Sequence, residues 1–216
     1  MIFLLSLFTA SHFHSFFEWT GTVAFAITGA LEAIRRRMDL SGAMLLAFVT
    51  GTGGGTIRDL ILHQNVFWTL QPYYIYLTLL TGALVFFFYQ QTTQLLRQTM
   101  AQKALLLFDA LGLVAFTIDG VSKALAIHEP MVVCVMMGTL TAVGGGMMRD
   151  MLANEIPMIL RGQLYATPTV LGGLAYLCMI RYTQSDALAM AACALTVLVL
   201  RLLGIYRNWH LPMIKG

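Results

Sequence analysis

Long apolar stretches, separated by short polar segments, run along most of this chain. Seven of them carry few charges over about 20 residues, the length that an α-helix needs to cross a bilayer. They predict helices 1 to 7 at about residues 16–34, 41–62, 72–91, 104–126, 131–152, 163–181 and 186–204. Continuous apolar runs favour helices over the alternating pattern of barrel strands. The pattern therefore predicts an all-α integral membrane protein.

The chain matches itself without a gap when it is shifted by 91 residues, the distance from Gly53 to Gly144. Identical pairs across this shift include Gly21 and Gly112, Phe25 and Phe116, Thr50 and Thr141, Tyr74 and Tyr165, and Gly82 and Gly173. The repeats span about residues 16–91 and 104–181, with three predicted helices each, and helix 7 at 186–204 lies outside them. Because an odd number of spans reverses direction, we predict a 3+3 inverted repeat plus one helix. All of residues 1–216 then form a single transmembrane domain.

Three consecutive glycines occur in helix 2 and again at the matching place in helix 5. They are Gly53, Gly54 and Gly55, and Gly144, Gly145 and Gly146. Each glycine lowers helix stability by about 1 kcal/mol relative to alanine. The triplets therefore predict that helices 2 and 5 are broken, with freed backbone that lines a cavity and contacts a permeant ion. Close packing between helices is the alternative.

An arginine and an aspartate follow each triplet, as Arg58-Asp59 and Arg149-Asp150. Charged residues inside a membrane span are candidates for a functional site. Because neighbouring side chains on a helix point about 100° apart, we expect that neither pair closes on itself. We expect the arginine of one repeat to meet the aspartate of the other, or each residue to cap backbone at the break. Direct contact with the permeant species is the other interpretation.

Helix 4 carries two further charges, Asp119 and Lys123, which lie four residues apart on one face and can pair. Lys123 either faces the pathway or extends towards the membrane interface. Glu18 and Asp109 match across the repeat near the predicted starts of helices 1 and 4, where interaction with a helix N-terminus accounts for them.

Thr50 and Thr141 lie three residues before their triplets. Their hydroxyl groups either bind a cation or bond back to their own helix, and the sequence leaves both readings open. Together with the triplets, Asp119 and Lys123, the two threonines form the candidate ion pathway.

Composition excludes several classes of protein. Of the 216 residues 58% are apolar and 11% are charged, whereas soluble domains carry about 25% charged residues. The net charge of +3 is small, so we expect no nucleic-acid partner. The sequence contains no nucleophile–base constellation, phosphate loop or cofactor motif, and its histidines lack metal-ligand spacing. We therefore expect no enzyme activity, no cofactor and no metal site.

Basic residues fall mainly on one side of the predicted spans. Residues 35–37 follow helix 1, Lys103 precedes helix 4, Arg161 precedes helix 6 and Arg207 follows helix 7. By the positive-inside rule this side is cytoplasmic. We therefore predict that the amino terminus is outside and the carboxyl terminus is in the cytoplasm.

Two GGGxxRD motifs on helices 2 and 5, the 3+3+1 layout and the stretch 155–161 followed by Tyr165-Ala-Thr167 resemble the bacterial branch of the TRIC family, the trimeric intracellular cation channels. The resemblance covers about residues 18–205. It implies a homotrimer in contact with lipid in the bacterial inner membrane. It also implies a pore within each subunit, bounded by the kinked helices 2 and 5, that passes monovalent cations, chiefly potassium.

Some bacterial relatives of this family are linked to glycine uptake. We therefore expect a potassium channel, and we keep a secondary transporter of a small amino acid such as glycine as the alternative. A structural membrane protein without transport is a third class. A channel requires a continuous path with a thin gate, whereas a transporter requires a closed pocket that fits a zwitterion.

Overall fold

The structure, a computed structural model, describes residues 2–91, 94–161, 164–207 and 209, and the side chains of 15–89, 101–161, 164–207 and 209. Within these ranges every regular element is helical. The helices are α1 (Ile2–Arg35), α2 (Leu40–Ile61), α3 (Phe67–Leu70), α4 (Tyr73–Gln91), α5 (Gln94–Ala126), α6 (Met131–Leu152), α7 (Ala166–Thr183) and α8 (Asp186–Arg207), with a 3₁₀ turn at Met158–Leu160. Seven of them correspond to the predicted segments, whereas α3 and the 3₁₀ turn were not predicted. The predicted start of helix 6 at residue 163 and the carboxyl terminus lie outside the described residues.

Two helices are longer than the apolar segments that predicted them. Helix α1 begins at Ile2 rather than near residue 16, and α5 begins at Gln94 rather than near residue 104. Neither extension contains glycine or proline, so nothing in the sequence stops the helix where the apolar run ends. Glu18 and Asp109 therefore lie well inside helices, and the predicted interaction with a helix N-terminus is wrong.

The backbone repeats with the sequence. Helices α2 and α6 both contain 22 residues and start 91 positions apart, at Leu40 and Met131. Residues with positive φ also recur at this spacing, in the pairs Arg37 and His128, and His63 and Asn154. The start of α2 is capped by Asp39, whose carboxylate accepts the Gly42 N–H at 2.8 Å, and this bond lowers the pKa of the carboxyl group. Pro130 takes the matching place before α6.

Equivalent helices of the two repeats run antiparallel. Along α1 and α5 the facing pairs are Glu18 with Lys123, Gly21 with Phe116, and Phe25 with Gly112. Along α2 and α6 they are Thr50 with Gly145, and Gly54 with Thr141. In both helix pairs one number rises as the other falls. The predicted 3+3 inverted repeat is confirmed, and α8 is the added helix, packed on α5 and α7.

The glycine triplets do not break their helices. Both α2 and α6 are helical throughout, so the predicted loss of regular hydrogen bonding is wrong. The triplets instead lie where the two helices cross. A Cβ added at Gly54 would overlap the carbonyl oxygen of Thr141, and one added at Gly145 would overlap that of Thr50. Because a broken backbone bond in an apolar interior costs several kcal/mol, the helices keep their bonds and the glycines allow close packing.

The bundle exposes many large apolar side chains and buries several charged ones. Large apolar residues are exposed on most helices, for example Leu45, Phe88, Val132 and Leu195. The largest fully buried side chains include three arginines, at positions 58, 149 and 201. Among the residues whose side chains the structure describes, four helical segments have the length and apolar composition to cross a membrane, namely Leu40–Ile61, Ala101–Ala126, Met131–Leu152 and Asp186–Arg207. An apolar outer surface is typical of a membrane protein, since lipid solvates exposed apolar side chains better than water does.

We expect Gly54→Ala to lower the free energy of unfolding by about 2 kcal/mol, because the added methyl group overlaps main-chain atoms of α6. Thermal unfolding of the protein in detergent measures this change. The control is Gly204→Ala in α8, where the added Cβ would lie 3.3 Å from the Leu164 Cβ and little has to move. Equal stability of the two variants would contradict the tight crossing.

Candidate functional site

The first group of buried charges, which we call the Arg58 cluster, consists of Glu18, Arg58, Asp59, Asp119 and Lys123. Arg58 is fully buried near the end of α2. Its Nε donates to Asp59 Oδ1 at 2.8 Å, and its Nη1 pairs with Asp119 of α5. The predicted failure of Arg58 and Asp59 to pair is wrong, because the long arginine side chain bends back onto its neighbour. The cluster thereby joins the first repeat to the second.

Asp59 also organises the chain that follows α2. Its second oxygen, Oδ2, accepts the backbone N–H of Phe67 at 2.8 Å, at the start of α3. The Phe67 ring then lies beside two cations, 5.6 Å from Lys123 Nζ and 5.9 Å from the Arg58 guanidinium carbon. A Cβ at Gly55 would come within 2.7 Å of this ring. The GGGxxRD motif therefore positions its own loop as well as the helix crossing.

Lys123 lies at the open side of this cluster. Its Nζ is 2.6 Å from Glu18 Oε1 and 3.3 Å from Asp119 Oδ1, which confirms the predicted pairing with Asp119. Its side chain is 35% exposed, and with Glu18 and Asp59 it lines a cavity of about 370 Å³. Three carboxylates face two cationic groups here, so the formal charges of the cluster sum to −1. A cavity with this lining attracts cations.

The second group, the Arg149 cluster, consists of Thr28, Asp109, Arg149, Asp150, Tyr165 and Arg201. Arg149 Nε donates to Asp150 Oδ1 at 2.9 Å, and its Nη1 donates to Thr28 Oγ1 at 2.9 Å and to Asp109 Oδ1 at 3.2 Å. Asp150 Oδ2 accepts the Met158 N–H at 2.9 Å, which repeats the contact between Asp59 and Phe67. Because α2 and α6 are antiparallel, this cluster lies at the opposite end of the bundle.

Two further groups reach Asp109, which is fully buried. The Tyr165 hydroxyl group donates to Asp109 Oδ1 at 3.0 Å, and Arg201 Nη2 of α8 lies 3.4 Å from Asp109 Oδ2. The Arg201 guanidinium also stacks 4.7 Å from the centre of the Tyr165 ring. The two arginines face two aspartates, Asp109 and Asp150, so this cluster is neutral.

The predicted contact between the arginine of one motif and the aspartate of the other does not form. Each arginine instead binds its own neighbour and a residue on the first helix of the other repeat, Asp119 of α5 for Arg58 and Thr28 of α1 for Arg149. Nor do the aspartates cap backbone at a helix break, since there is none, and they hold the loops that follow their helices.

The two threonines bond back to their own helices. Thr50 Oγ1 donates to the Leu46 carbonyl at 2.6 Å, and Thr141 Oγ1 donates to the Met137 carbonyl at 2.6 Å. Their hydroxyl oxygens keep lone pairs that can accept.

Sequence reasoning did not select Thr28, Tyr165 or Arg201 as site residues. Each has a signal that could have found it. Thr28 matches Asp119 across the repeat, Tyr165 matches Tyr74, and Arg201 is a charge inside an otherwise apolar predicted helix.

This arrangement defines a helical membrane protein with an inverted repeat and buried ion pairs at both ends of a glycine crossing, and known proteins are similar to it in sequence and fold. The protein family described as "Glycine transporter" matches the chain twice, over residues 15–90 and 106–181. The UPF0126 inner membrane protein YadS of Escherichia coli is 39% identical over 89% of this chain and 91% of its own length.

Solved structures agree. A TRIC trimeric intracellular cation channel orthologue from Rhodobacter sphaeroides is 36% identical, with a TM-score of 0.84 over 91% of this chain and 98% of its own. A prokaryotic TRIC channel is 28% identical, with a TM-score of 0.85 over 93% of this chain and 100% of its own. The chain belongs to the TRIC family, in its prokaryotic branch, together with the UPF0126 membrane proteins.

We expect Asp119→Asn to lower the free energy of unfolding by about 3 kcal/mol, because fully buried Arg58 loses one of its two counter-ions. Denaturation in detergent measures the change. The control is Glu155→Gln, which removes a half-exposed carboxylate that pairs with Arg36 and Arg161 and should cost less than about 1 kcal/mol. An equal loss in both variants would mean that the Arg58 pair contributes no more than a surface pair.

Proposed function

We propose that this chain is the subunit of a homotrimeric channel for monovalent cations, chiefly potassium, with a pore inside each subunit along α2 and α6. The observation that carries the proposal is the antiparallel crossing of the two glycine triplets between two buried charged clusters. Charges this costly to bury are typical of an ion pathway rather than of a packing interface. The solved relative from Rhodobacter sphaeroides is described as a trimeric intracellular cation channel orthologue, which supports the proposal.

In this proposal a cation enters through the cavity beside Glu18, Asp59 and Lys123. The excess negative charge of the Arg58 cluster concentrates cations there. The contact between Gly54 and Gly145 is then the closed constriction, since the backbones of α2 and α6 approach most closely there. A small separation of α2 and α6 widens the path without breaking either helix.

Separation of the helices also supplies ligands. The carbonyl oxygens of Thr50 and Thr141 each point at the glycine triplet of the other repeat. Each oxygen has a second lone pair beyond its helical hydrogen bond, and the two hydroxyl groups lie on the same residues. Oxygen ligands of this kind suit a monovalent cation that exchanges quickly.

The channel lies in the bacterial inner membrane with lipid around its apolar surface. The relative from Escherichia coli is named an inner membrane protein. The Arg149 cluster is on the cytoplasmic side and the Arg58 cluster is on the outer side, because basic residues such as Arg36 and Arg161 flank the Arg149 end.

Recording from purified protein in a planar bilayer tests the proposal. We expect potassium currents with discrete openings, and we expect trimers in the same preparation by chemical cross-linking. Absence of current from a preparation of intact trimers would reject the channel.

A secondary transporter of glycine is the second candidate. The cavity offers the Lys123 ammonium group for a carboxylate, and the carboxylates of Glu18 and Asp59 for an ammonium group, a pairing that fits a zwitterion. The description of the matching family as a glycine transporter favours the same substrate. Uptake of labelled glycine into proteoliposomes, without unitary currents, would decide for the transporter.

We expect Lys123→Gln to raise the potassium conductance and to change its voltage dependence, because a positive charge leaves the cavity. Moving one charge through the full membrane potential is worth about 2.3 kcal/mol per 100 mV, so even partial displacement of Lys123 affects opening. Glu18→Gln should act in the opposite sense. Single-channel current–voltage curves measure both changes.

The matched control is Lys103→Gln, the same charge change at an exposed position of α5. It should leave the curves unchanged. If the Lys123 and Glu18 variants also leave them unchanged with trimers intact, Lys123 only extends to the interface and does not belong to the pathway.

A further inference from the structure

Arg201 is the one charged residue of the Arg149 cluster that comes from outside the repeat. Helix α8 has no counterpart, yet it places a fully buried guanidinium against the carboxylate of Asp109. The motif already provides Arg149, which lies 3.2 Å from Asp109. A second arginine is therefore not needed to give Asp109 a partner.

The inverted repeat allows Asp109 and its second arginine to be compared with the matching carboxylate of the first repeat. Asp109 matches Glu18 across the repeat. Each of these carboxylates pairs with a cationic side chain that has no cationic residue at the matching position of the other repeat. Glu18 holds Lys123, whose counterpart in the first repeat is Glu32. Asp109 holds Arg201. At both ends of the bundle, a buried carboxylate is thus paired with a cationic side chain of the protein, which we call a tethered cation.

Charge points the same way. With Arg201 set aside, Arg149 alone faces Asp109 and Asp150, and one negative charge is in excess. The Arg58 cluster, whose cavity is open, carries this same excess. Arg201 therefore neutralises a site that the repeat itself leaves negative.

The fit of Arg201 is loose for a buried arginine. Its closest approach to Asp109 is 3.4 Å, and its Nη1 donates to the Leu164 carbonyl at 3.2 Å. Its buried Nε has no hydrogen-bond partner among the described residues. Arg149 makes shorter bonds to three partners, two of them at 2.9 Å. Within the described part of the chain, Arg149 also has one buried nitrogen without a hydrogen-bond partner, Nη2, so the difference between the two arginines is one of bond length. The contacts that hold Arg201 are longer than those of Arg149 to Thr28 and Asp150.

We propose that Asp109 is a binding site for a monovalent cation such as potassium, and that Arg201 is a tethered cation that fills this site while α8 is docked. When the end of α8 moves away, the site takes a free cation from the pathway. This inference rests on the proposed pathway but concerns a site of its own. In this proposal the docked α8 blocks the cation site at the Arg149 end of the bundle.

The test measures cation binding through stability and needs no current. The unfolding midpoint temperature is measured in detergent at pH 8, in potassium chloride and in N-methylglucamine chloride of equal ionic strength. The margin is the unfolding midpoint in potassium minus the midpoint in N-methylglucamine. For Arg201→Gln this margin should be about 2–4 °C larger than for the unchanged protein, at a potassium concentration about five times the dissociation constant. Arg201→Lys keeps the tethered charge and should show no added margin.

Two further variants separate the site from general effects of salt. Arg201→Gln combined with Asp109→Asn should lose the added potassium margin, because no carboxylate remains to bind the ion. Arg161→Gln removes an arginine from an exposed pair with Glu155 and should behave like the unchanged protein. In the bilayer, Arg201→Gln should also raise the open probability several-fold.

The outcomes are distinct. A potassium margin in Arg201→Gln equal to that of the unchanged protein would overturn the cation site. So would loss of folded protein in both salts for Arg201→Gln and for Arg201→Met, because Arg201 would then be a counter-ion that no free cation replaces. An added margin in a protein that passes no current would support the site and reject the channel.

Discussion

A guanidinium group inside an apolar helix bundle must be neutralised there, because a buried ion without a partner costs several kcal/mol. Arg58 and Arg149 impose this requirement, and the arrangement around them meets it. Each aspartate next in sequence holds its arginine with one oxygen and a loop N–H with the other. Each arginine also binds the first helix of the other repeat, α5 for Arg58 and α1 for Arg149. Two short motifs thereby set the helix crossing, the loops and the interface between the repeats.

The glycine triplets make this arrangement possible. Because glycine has no side chain, the backbones of α2 and α6 can touch at Gly54 and Gly145, and both helices remain intact. Side chains of the opposite helix fill the space beside the triplets, with Met148 against Gly53 and Ile57 against Gly144. The stability of the crossing therefore depends on these few residues, and a larger side chain at Gly54 or Gly145 would disturb the fold.

The two repeats have the same backbone arrangement, but their buried charged residues differ. Across the repeat Asp119 is replaced by Thr28, Lys123 by Glu32, and only the second half receives an arginine from α8. One cluster is consequently negative and borders a cavity, while the other is neutral and closed. The inverted repeat therefore has two ends of different formal charge, which an identical pair of motifs could not provide.

The amino-acid sequence by itself determined the membrane class, the long helices and the inverted repeat, because apolar run length and a fixed spacing of 91 residues are properties of the chain alone. It also selected the motif charges and the pairing of Asp119 with Lys123, which depends only on helical periodicity. Only the tertiary structure decided that the triplets pack without breaking and that Arg201 reaches Asp109. Those outcomes depend on how closely two helices far apart in sequence approach, and no local pattern encodes that distance.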